Sequence, residues 1–182
     1  MICLFLAEGF EEIEALTVVD LCRRAGLDII TVSISDDTLV MGSHKIPVVA
    51  DTVLSKVDWD SADVLVLPGG KLGTQNLASC DVLTSKLAAH VAAGKLACAI
   101  CAAPAFVFGE RGLVDGKRAC CYPGLENHLR GAEVTANNVT VDENIVTSRG
   151  LGTSIDFALA IIEKLDSKEK ADEIARSVVY KR

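Results

Sequence analysis

Leu96-Ala97-Cys98-Ala99-Ile100-Cys101-Ala102-Ala103-Pro104-Ala105 is the stretch that decides the fold. Residues 96–100 form an apolar run of strand length, and Phe106-Val107-Phe108 continue as a short helix that stops at Arg111-Gly112. A buried strand that turns at once into a helix leaves its junction residue at the C-terminal edge of a sheet, under the positive end of the helix. That residue is Cys101. Ala102 and Ala103 permit a tight turn, and Pro104 suits a first helical turn, where its missing N–H costs nothing. The pattern is that of a nucleophile elbow with cysteine in the place of serine. Unpaired helix N–H groups would pull the thiol pKa below its free value of about 8.5. A buried, inert cysteine fits the same residues, and spacing alone does not choose between the two.

Working outward, Ala62-Asp63-Val64-Leu65-Val66-Leu67 reads as another buried parallel strand, ending in Pro68-Gly69-Gly70. Glycines after a strand let a backbone approach a ligand and expose its N–H groups, as an oxyanion pocket requires. Ile2 to Leu6 reads as the first strand, followed by a loop and a helix of about fifteen residues ending at Arg23-Arg24-Ala25-Gly26. At about 100° per residue, Ala15, Val18, Val19, Leu21, Cys22 and Ala25 share one apolar arc, with Glu12 and Asp20 opposite. Glu14 falls inside the arc. There it is either a first-turn acid complementing the helix dipole, as Glu11 and Glu12 are read, or a desolvated carboxyl with a raised pKa.

A second strand follows at residues 27–34. A small hairpin pairs Leu39-Val40-Met41 with Ile46-Pro47-Val48-Val49, and residues 51–60 carry little pattern. A helix spans Asp81 to Ala93, with Val82, Leu83, Leu87, Ala88 and Val91 on its buried face and His90 at the surface or boundary. Lys117 to Tyr122 and the stretches 139–141 and 145–148 read as further strands. Thr153 and Asp156 form a capping-box-like pair for a helix through Leu165, and Asp166 or Ser167 caps a last one. Alternating strands and helices make this an α/β chain: one domain over residues 1–182, a three-layer sandwich around a mostly parallel sheet.

Composition bounds what such a domain does. Half of the 182 residues are hydrophobic and the mean hydropathy is +0.35, but no apolar run nears the roughly 20 residues of a membrane span. The first residues lack a basic segment and reach Glu8 too early for a signal peptide. A net charge of −7 argues against nucleic acid or an anionic membrane as partner. Seven cysteines without regular spacing point to a reducing compartment, hence the cytoplasm. Cys98-x-x-Cys101 places its first cysteine inside the strand, against a redox or zinc reading.

Four motifs in order then identify a resemblance: residues 7–14, Ala-Glu-Gly-Phe-Glu-Glu-Ile-Glu; 66–73, Val-Leu-Pro-Gly-Gly-Lys-Leu-Gly; 99–104, Ala-Ile-Cys-Ala-Ala-Pro; and 147–154, Thr-Ser-Arg-Gly-Leu-Gly-Thr-Ser. The chain resembles the ThiJ/PfpI superfamily, in particular its parkinsonism-associated deglycase branch. The resemblance implies a flavodoxin-like homodimer without cofactor or metal. It further implies an oxidation-sensitive nucleophile at Cys101, a protonated carboxyl at Glu14 against the sulfur, and backbone N–H groups from Gly70 and Ala102, with Gly69 beside them.

Two departures stand out. Tyr122 occupies a position where several members carry a histidine, and His44 stands where relatives often carry an arginine near the pocket, although a solvated loop histidine fits it too. His128 is the other histidine within reach by sequence. Ala102 after the cysteine disfavours the histidine-dependent protease and amidotransferase branches. The expected activity is a glyoxalase or deglycase acting on methylglyoxal or its glycated adducts. The alternatives are a sensor that stops at a Cys101 sulfinate and a redox-regulated chaperone.

Overall fold

A computed structural model describes residues 1–181. In chain order the elements are β1 (Ile2–Leu6), α1 (Glu12–Arg24), β2 (Ile29–Ser33), β3 (Leu39–Met41), β4 (Pro47–Val49), β5 (Thr52–Val53), β6 (Val64–Leu67), α2 (Lys71–Ser79), α3 (Asp81–Ala92), β7 (Leu96–Ile100), β8 (Arg118–Ala119), β9 (Glu133–Val134), β10 (Val139–Asp142), β11 (Ile145–Ser148), α4 (Ser154–Leu165) and α5 (Lys168–Ser177). Seven strands form one sheet in the order β10-β11-β7-β6-β1-β2-β5. All neighbours are parallel except β10 with β11. This is the mostly parallel α/β sandwich read from the sequence.

The unbroken apolar run of β1 has a direct cause: both faces of the sheet are covered. Ile2, Leu4 and Leu6 pack in a core with α1, α4 and α5, while Cys3, Phe5 and Ala7 pack on the other face with Leu77 of α2 and Leu83 and Leu87 of α3. The chain leaves β1 for β2 in one direction and runs from β6 through β7 to β11 in the other. The order therefore reverses beside β1, and the crevice for a ligand lies beyond the strand C-termini at that point.

Several local expectations give way to tertiary contacts. Thr52–Val53 is a sheet-edge strand, pairing Val32 with Thr52 and Ser33 with Val53, where the sequence shows little pattern. It is pinned by Asp51, whose Oδ2 accepts from Thr31 N, Thr31 Oγ1 and Arg23 Nη2, each at 2.8 Å. The strand expected over 117–122 shortens to β8, which pairs with β9 in a separate ladder, because Cys120 donates its N–H to the Thr147 hydroxyl instead of to a strand partner. On α3, Val82 and Ala88 face solvent; Thr84 and His90 take the inner face, with His90 Nε2 3.1 Å from Leu96 O. Burial lowers the His90 pKa.

The Thr153/Asp156 capping box does not form. Thr153 Oγ1 bonds Ser148 Oγ and Gly150 O, and Asp156 accepts from Asn138 and Tyr180. Ser167 caps α5, accepting from Lys170 N.

The small β3–β4 hairpin docks on the loop after β1, with Gly9 N–H donating to Met41 O and Ser43 N–H to Phe10 O, both at 2.8 Å. Its loop is thereby held against the first turn of α1. No helix among the described residues is long and apolar enough to cross a membrane.

Phe157 is fully buried in the α1–α4–α5 core. Phe157→Ala is expected to lower the unfolding free energy by about 3–5 kcal/mol, read by urea denaturation. A loss near zero would contradict the packing described.

Candidate active site

Cys101 follows the last residue of β7 and has φ +65°, the left-handed conformation that costs a side-chain-bearing residue about 1–2 kcal/mol. The surroundings hold it there. Its N–H donates to Ser148 O at the end of β11 (3.0 Å), and its carbonyl accepts from Tyr122 N–H (2.7 Å). Helical turns begin right after it, with a wide turn at Pro104–Phe108 and a 3-10 turn at Gly109–Arg111. The strand-to-helix elbow read from the sequence is present, and its strain sits on the cysteine.

Glu14 comes to the same point from the first turn of α1. Glu11 caps that helix, its carboxylate accepting Glu14 N–H at 2.8 Å, which turns Glu14 inward. Glu14 is 1% exposed. Its Oε2 accepts the Gly69 N–H at 2.8 Å, and its Oε1 is buried without a hydrogen-bond partner. A Cβ at Gly69 would stand 2.5 Å from both Glu14 Oε2 and Cys101 Cβ, and 3.0 Å from Cys101 Sγ. Carboxyl and thiol therefore face each other across a space that only glycine leaves open. Gly70, at φ +89°, and Ala102 direct backbone N–H groups at the sulfur. Gly69 has another task, since its N–H is spent on Glu14 and its carbonyl accepts from Glu11 N.

The electrostatics differ from the simplest expectation. Burial raises the Glu14 pKa to about 7, against the lowering effect of the Gly69 N–H. The Cys101 thiol is not lowered. Burial pushes it up to about 12, the Glu14 charge adds to the rise, and the Gly70 and Ala102 N–H groups offset only part of it. Desolvation and the facing carboxylate outweigh the helix-end N–H groups at Cys101. Both effects concern one negative charge in one apolar space: an ionised Glu14 repels a thiolate, whereas a protonated Glu14 does not. The Glu14 carboxyl hydrogen-bonds the thiol, which suits proton transfer from sulfur to the carboxylate as a bond forms at sulfur, with Glu14 acting as base near neutrality.

Cys101 opens into a cavity of about 500 Å³ whose lining includes Ala102, Phe106, Tyr122 and Leu125, with Glu11, Ser43, His44, Gly70 and Lys71 also at its wall. Tyr122 is half exposed, and its ring packs 3.4 Å from where a Gly150 Cβ would be. His128 does not line this cavity. Its Nδ1 lies 2.6 Å from Glu110 Oε1, and its ring stands edge-on to Phe106.

His44 is at the wall and is not a free loop histidine: Nδ1 lies 3.1 Å from Glu12 Oε2 and 3.0 Å from Ser43 Oγ. Glu12, placed on the polar arc by helical periodicity, is 2% exposed. The hairpin loop covers it, which requires Gly42, because any Cβ there would collide with the Glu12 carboxylate. Burial acts to raise the Glu12 pKa, but backbone N–H groups of Glu12 and His44 with the His44 and Ser43 side chains hold it at about 2. Phe106 and Leu125 carried no sequence signal beyond hydrophobicity.

Among the described residues, Glu11, Glu12 and His44 form the set whose ligand atoms lie close enough for a metal ion, within 4.8 Å of one another. Their bonds already go to Glu14 N, Ser43 and each other. All seven cysteines are free. Burial also raises the thiol pKa of Cys3, Cys22, Cys98 and Cys121, and Cys80 is partly exposed as Cys101 is, so Cys101 is distinguished by opening into the cavity and by its N–H groups.

Comparison with known proteins identifies the family and the fold. The DJ-1/PfpI family profile matches residues 1–164. The chain is 39% identical over 174 residues to Protein DJ-1 homolog A of Arabidopsis thaliana, covering 96% of this chain and 44% of that protein. It spans less than half the length of this and a second Arabidopsis relative, of which it covers 40%. It is 31% identical over 172 residues to the glutathione-independent glyoxalase DJR-1.2 of Caenorhabditis elegans, covering 93% and 90% of the two chains. The solved structure of oxidized Toxoplasma gondii DJ-1 superposes with a TM-score of 0.96 at 36% identity, over 100% of this chain and 98% of that one.

The raised Glu14 pKa also bears on stability. An acid whose folded pKa lies above its unfolded one stabilises the fold fully below the unfolded value, and that contribution is lost as pH rises through the folded value. Stability is therefore expected to fall between about pH 4.5 and 7 by up to about 3 kcal/mol from this group. Glu14→Gln should flatten that part of the profile in urea unfolding; an unchanged slope would contradict the assignment.

Proposed function

This chain belongs to the DJ-1/PfpI family, and on that premise we propose that it is a cofactor-independent glyoxalase or deglycase of carbonyl stress, using Cys101 on methylglyoxal or its adducts. The observation that carries the proposal is the buried Glu14 carboxyl facing the Cys101 thiol with one oxygen unpartnered. The named activity of the worm relative supports it.

Sulfur adds to the aldehyde carbon as its proton passes to Glu14 Oε1, and the Gly70 and Ala102 N–H groups hold the developing oxyanion. Glu14 returns that proton to the alkoxide oxygen, giving the neutral hemithioacetal, and as a carboxylate again takes the C1 proton and delivers it to C2 while the hydroxyl proton passes from the C1 oxygen to the C2 oxygen, leaving a lactoyl thioester. Water cleaves the C–S bond to give lactate and regenerate the thiol. His44 and Tyr122 line the substrate's side of the cavity.

A second reading, a redox sensor or redox-regulated chaperone, is favoured by one observation. Cys101 opens to the cavity, whereas Cys3, Cys22, Cys98, Cys120 and Cys121 are buried and the partly exposed Cys80 does not line it. A Cys101 sulfinate would take the same N–H groups. Free cysteines throughout also support a reducing, cytoplasmic setting.

Homodimerisation is proposed from apolar side chains left exposed on two elements that the Glu12 bonds tie together: Ile13 and Leu16 on α1, and Ile46 and Val49 at the hairpin. No nucleic-acid or membrane partner is proposed, given the net charge of −7.

Lactate formation from methylglyoxal tests the enzymatic reading. Cys101→Ala is expected to fall to background and Glu14→Gln by about 10²–10⁴-fold. Equal rates in wild type and both variants would reject it.

A further inference from the structure

Hydrolysis of the Cys101 thioester is the one step of the proposed reaction without a side chain to serve it. The water that cleaves the thioester must enter from the cavity mouth and lose a proton. Glu14 is poorly placed for this: it lies 1% exposed behind the sulfur, with Oε2 committed to Gly69. His44 has the opposite placement. It lines the same cavity as Cys101, and its side chain is 71% exposed.

The ring is also held. The backbone N–H of His44 donates to Glu12 Oε1 at 2.7 Å, Nδ1 lies 3.1 Å from Glu12 Oε2, and Ser43 Oγ bonds both that oxygen and Nδ1. A carboxylate accepting at Nδ1 fixes the proton there and leaves Nε2 as the basic nitrogen. No hydrogen bond occupies Nε2 among the described residues. Glu12 is covered by the hairpin loop, and those same donors keep it the anionic partner against the opposing effect of burial. The other charged groups at this cavity are Glu11, whose Oε1 lies 3.8 Å from Nδ1, and Lys71, which also lines it.

We propose that the Glu12–His44 pair is the hydrolytic base of this enzyme, with His44 a catalytic residue and Glu12 its positioning residue. The step rests on the Cys101 reading. His44 Nε2 takes a proton from water as the water oxygen bonds to the thioester carbon, and the oxyanion forms at the Gly70 and Ala102 N–H groups. Collapse breaks the C–S bond with its electron pair on sulfur, and the proton held by His44 returns to make the thiol. Lactic acid leaves and gives its carboxyl proton to solvent. No oxidant, metal or further reactant is needed.

The experiment is rapid-quench kinetics with methylglyoxal, reading lactate and the intact mass of the protein. In wild type, turnover should proceed with little adduct. In His44→Ala, acylation of Cys101 should keep its wild-type rate while steady-state lactate falls about 100-fold, and one lactoyl group should accumulate on Cys101. Glu12→Gln, which keeps the imidazole but weakens its anchor, should show the same adduct with a smaller loss. Thermal melting of each variant identifies simple misfolding, and for a variant that does misfold, His44→Gln replaces His44→Ala. Unchanged steady-state turnover without adduct, loss of Cys101 acylation in a folded variant, or turnover dependent on an added divalent cation would each overturn the proposal. Absence of both turnover and adduct in wild type would instead defeat the Cys101 reading on which it rests.

Discussion

One buried carboxyl organises this molecule's chemistry. Glu14 is brought inward because Glu11 caps α1 through the Glu14 N–H, and it is fixed because Gly69 donates to Oε2. That placement has three effects. Oε1 is buried without a hydrogen-bond partner, the carboxyl pKa rises to about 7 by burial, and the thiol is pushed up by burial and by the carboxylate charge. A buried unsatisfied oxygen is costly, on the order of 1–3 kcal/mol. Together with the left-handed backbone of Cys101 it marks the place where the fold gives up stability at the proposed reaction centre.

The sheet makes this convergence possible. β1, β6 and β7 are adjacent and parallel, so the loops after them meet at one edge, and the strand order reverses there. Glu14 follows β1, Gly69 and Gly70 follow β6, and Cys101 follows β7. The hairpin of β3 and β4 then closes one side by docking on the β1 loop, and brings Ser43 and His44 over Glu12. Backbone N–H groups, carboxyl and thiol are thus held by backbone segments whose positions the hydrophobic cores on both faces determine.

Much of this was readable from residues alone, for physical reasons. β1 and β7 are buried on both faces, which leaves an unbroken apolar signature, and the small residues after Cys101 betray a tight turn. Helical periodicity placed Glu14 on the apolar arc. The same periodicity misplaced Glu12, because its burial comes from a loop some thirty residues away that only Gly42 allows to approach. Thr52–Val53 is too short to show a pattern and exists through Asp51 and its partners. The capping-box spacing at Thr153 and Asp156 yielded to tertiary bonds with Ser148 and Tyr180. The Cys101 pKa failed for the same kind of reason: helix N–H groups are local and visible, whereas desolvation and a facing charge depend on how distant segments meet.

The central claim is that Glu14 and Cys101 titrate as one pair. The most direct measurement is the rate of Cys101 alkylation as a function of pH, followed by intact mass. If Glu14 serves as the base for the thiol proton, the rate should rise through an inflection near pH 7, where Glu14 ionises, and Glu14→Gln should remove that inflection. A rate that climbs without inflection toward the thiol's own ionisation near 12, alike in both proteins, would contradict the account.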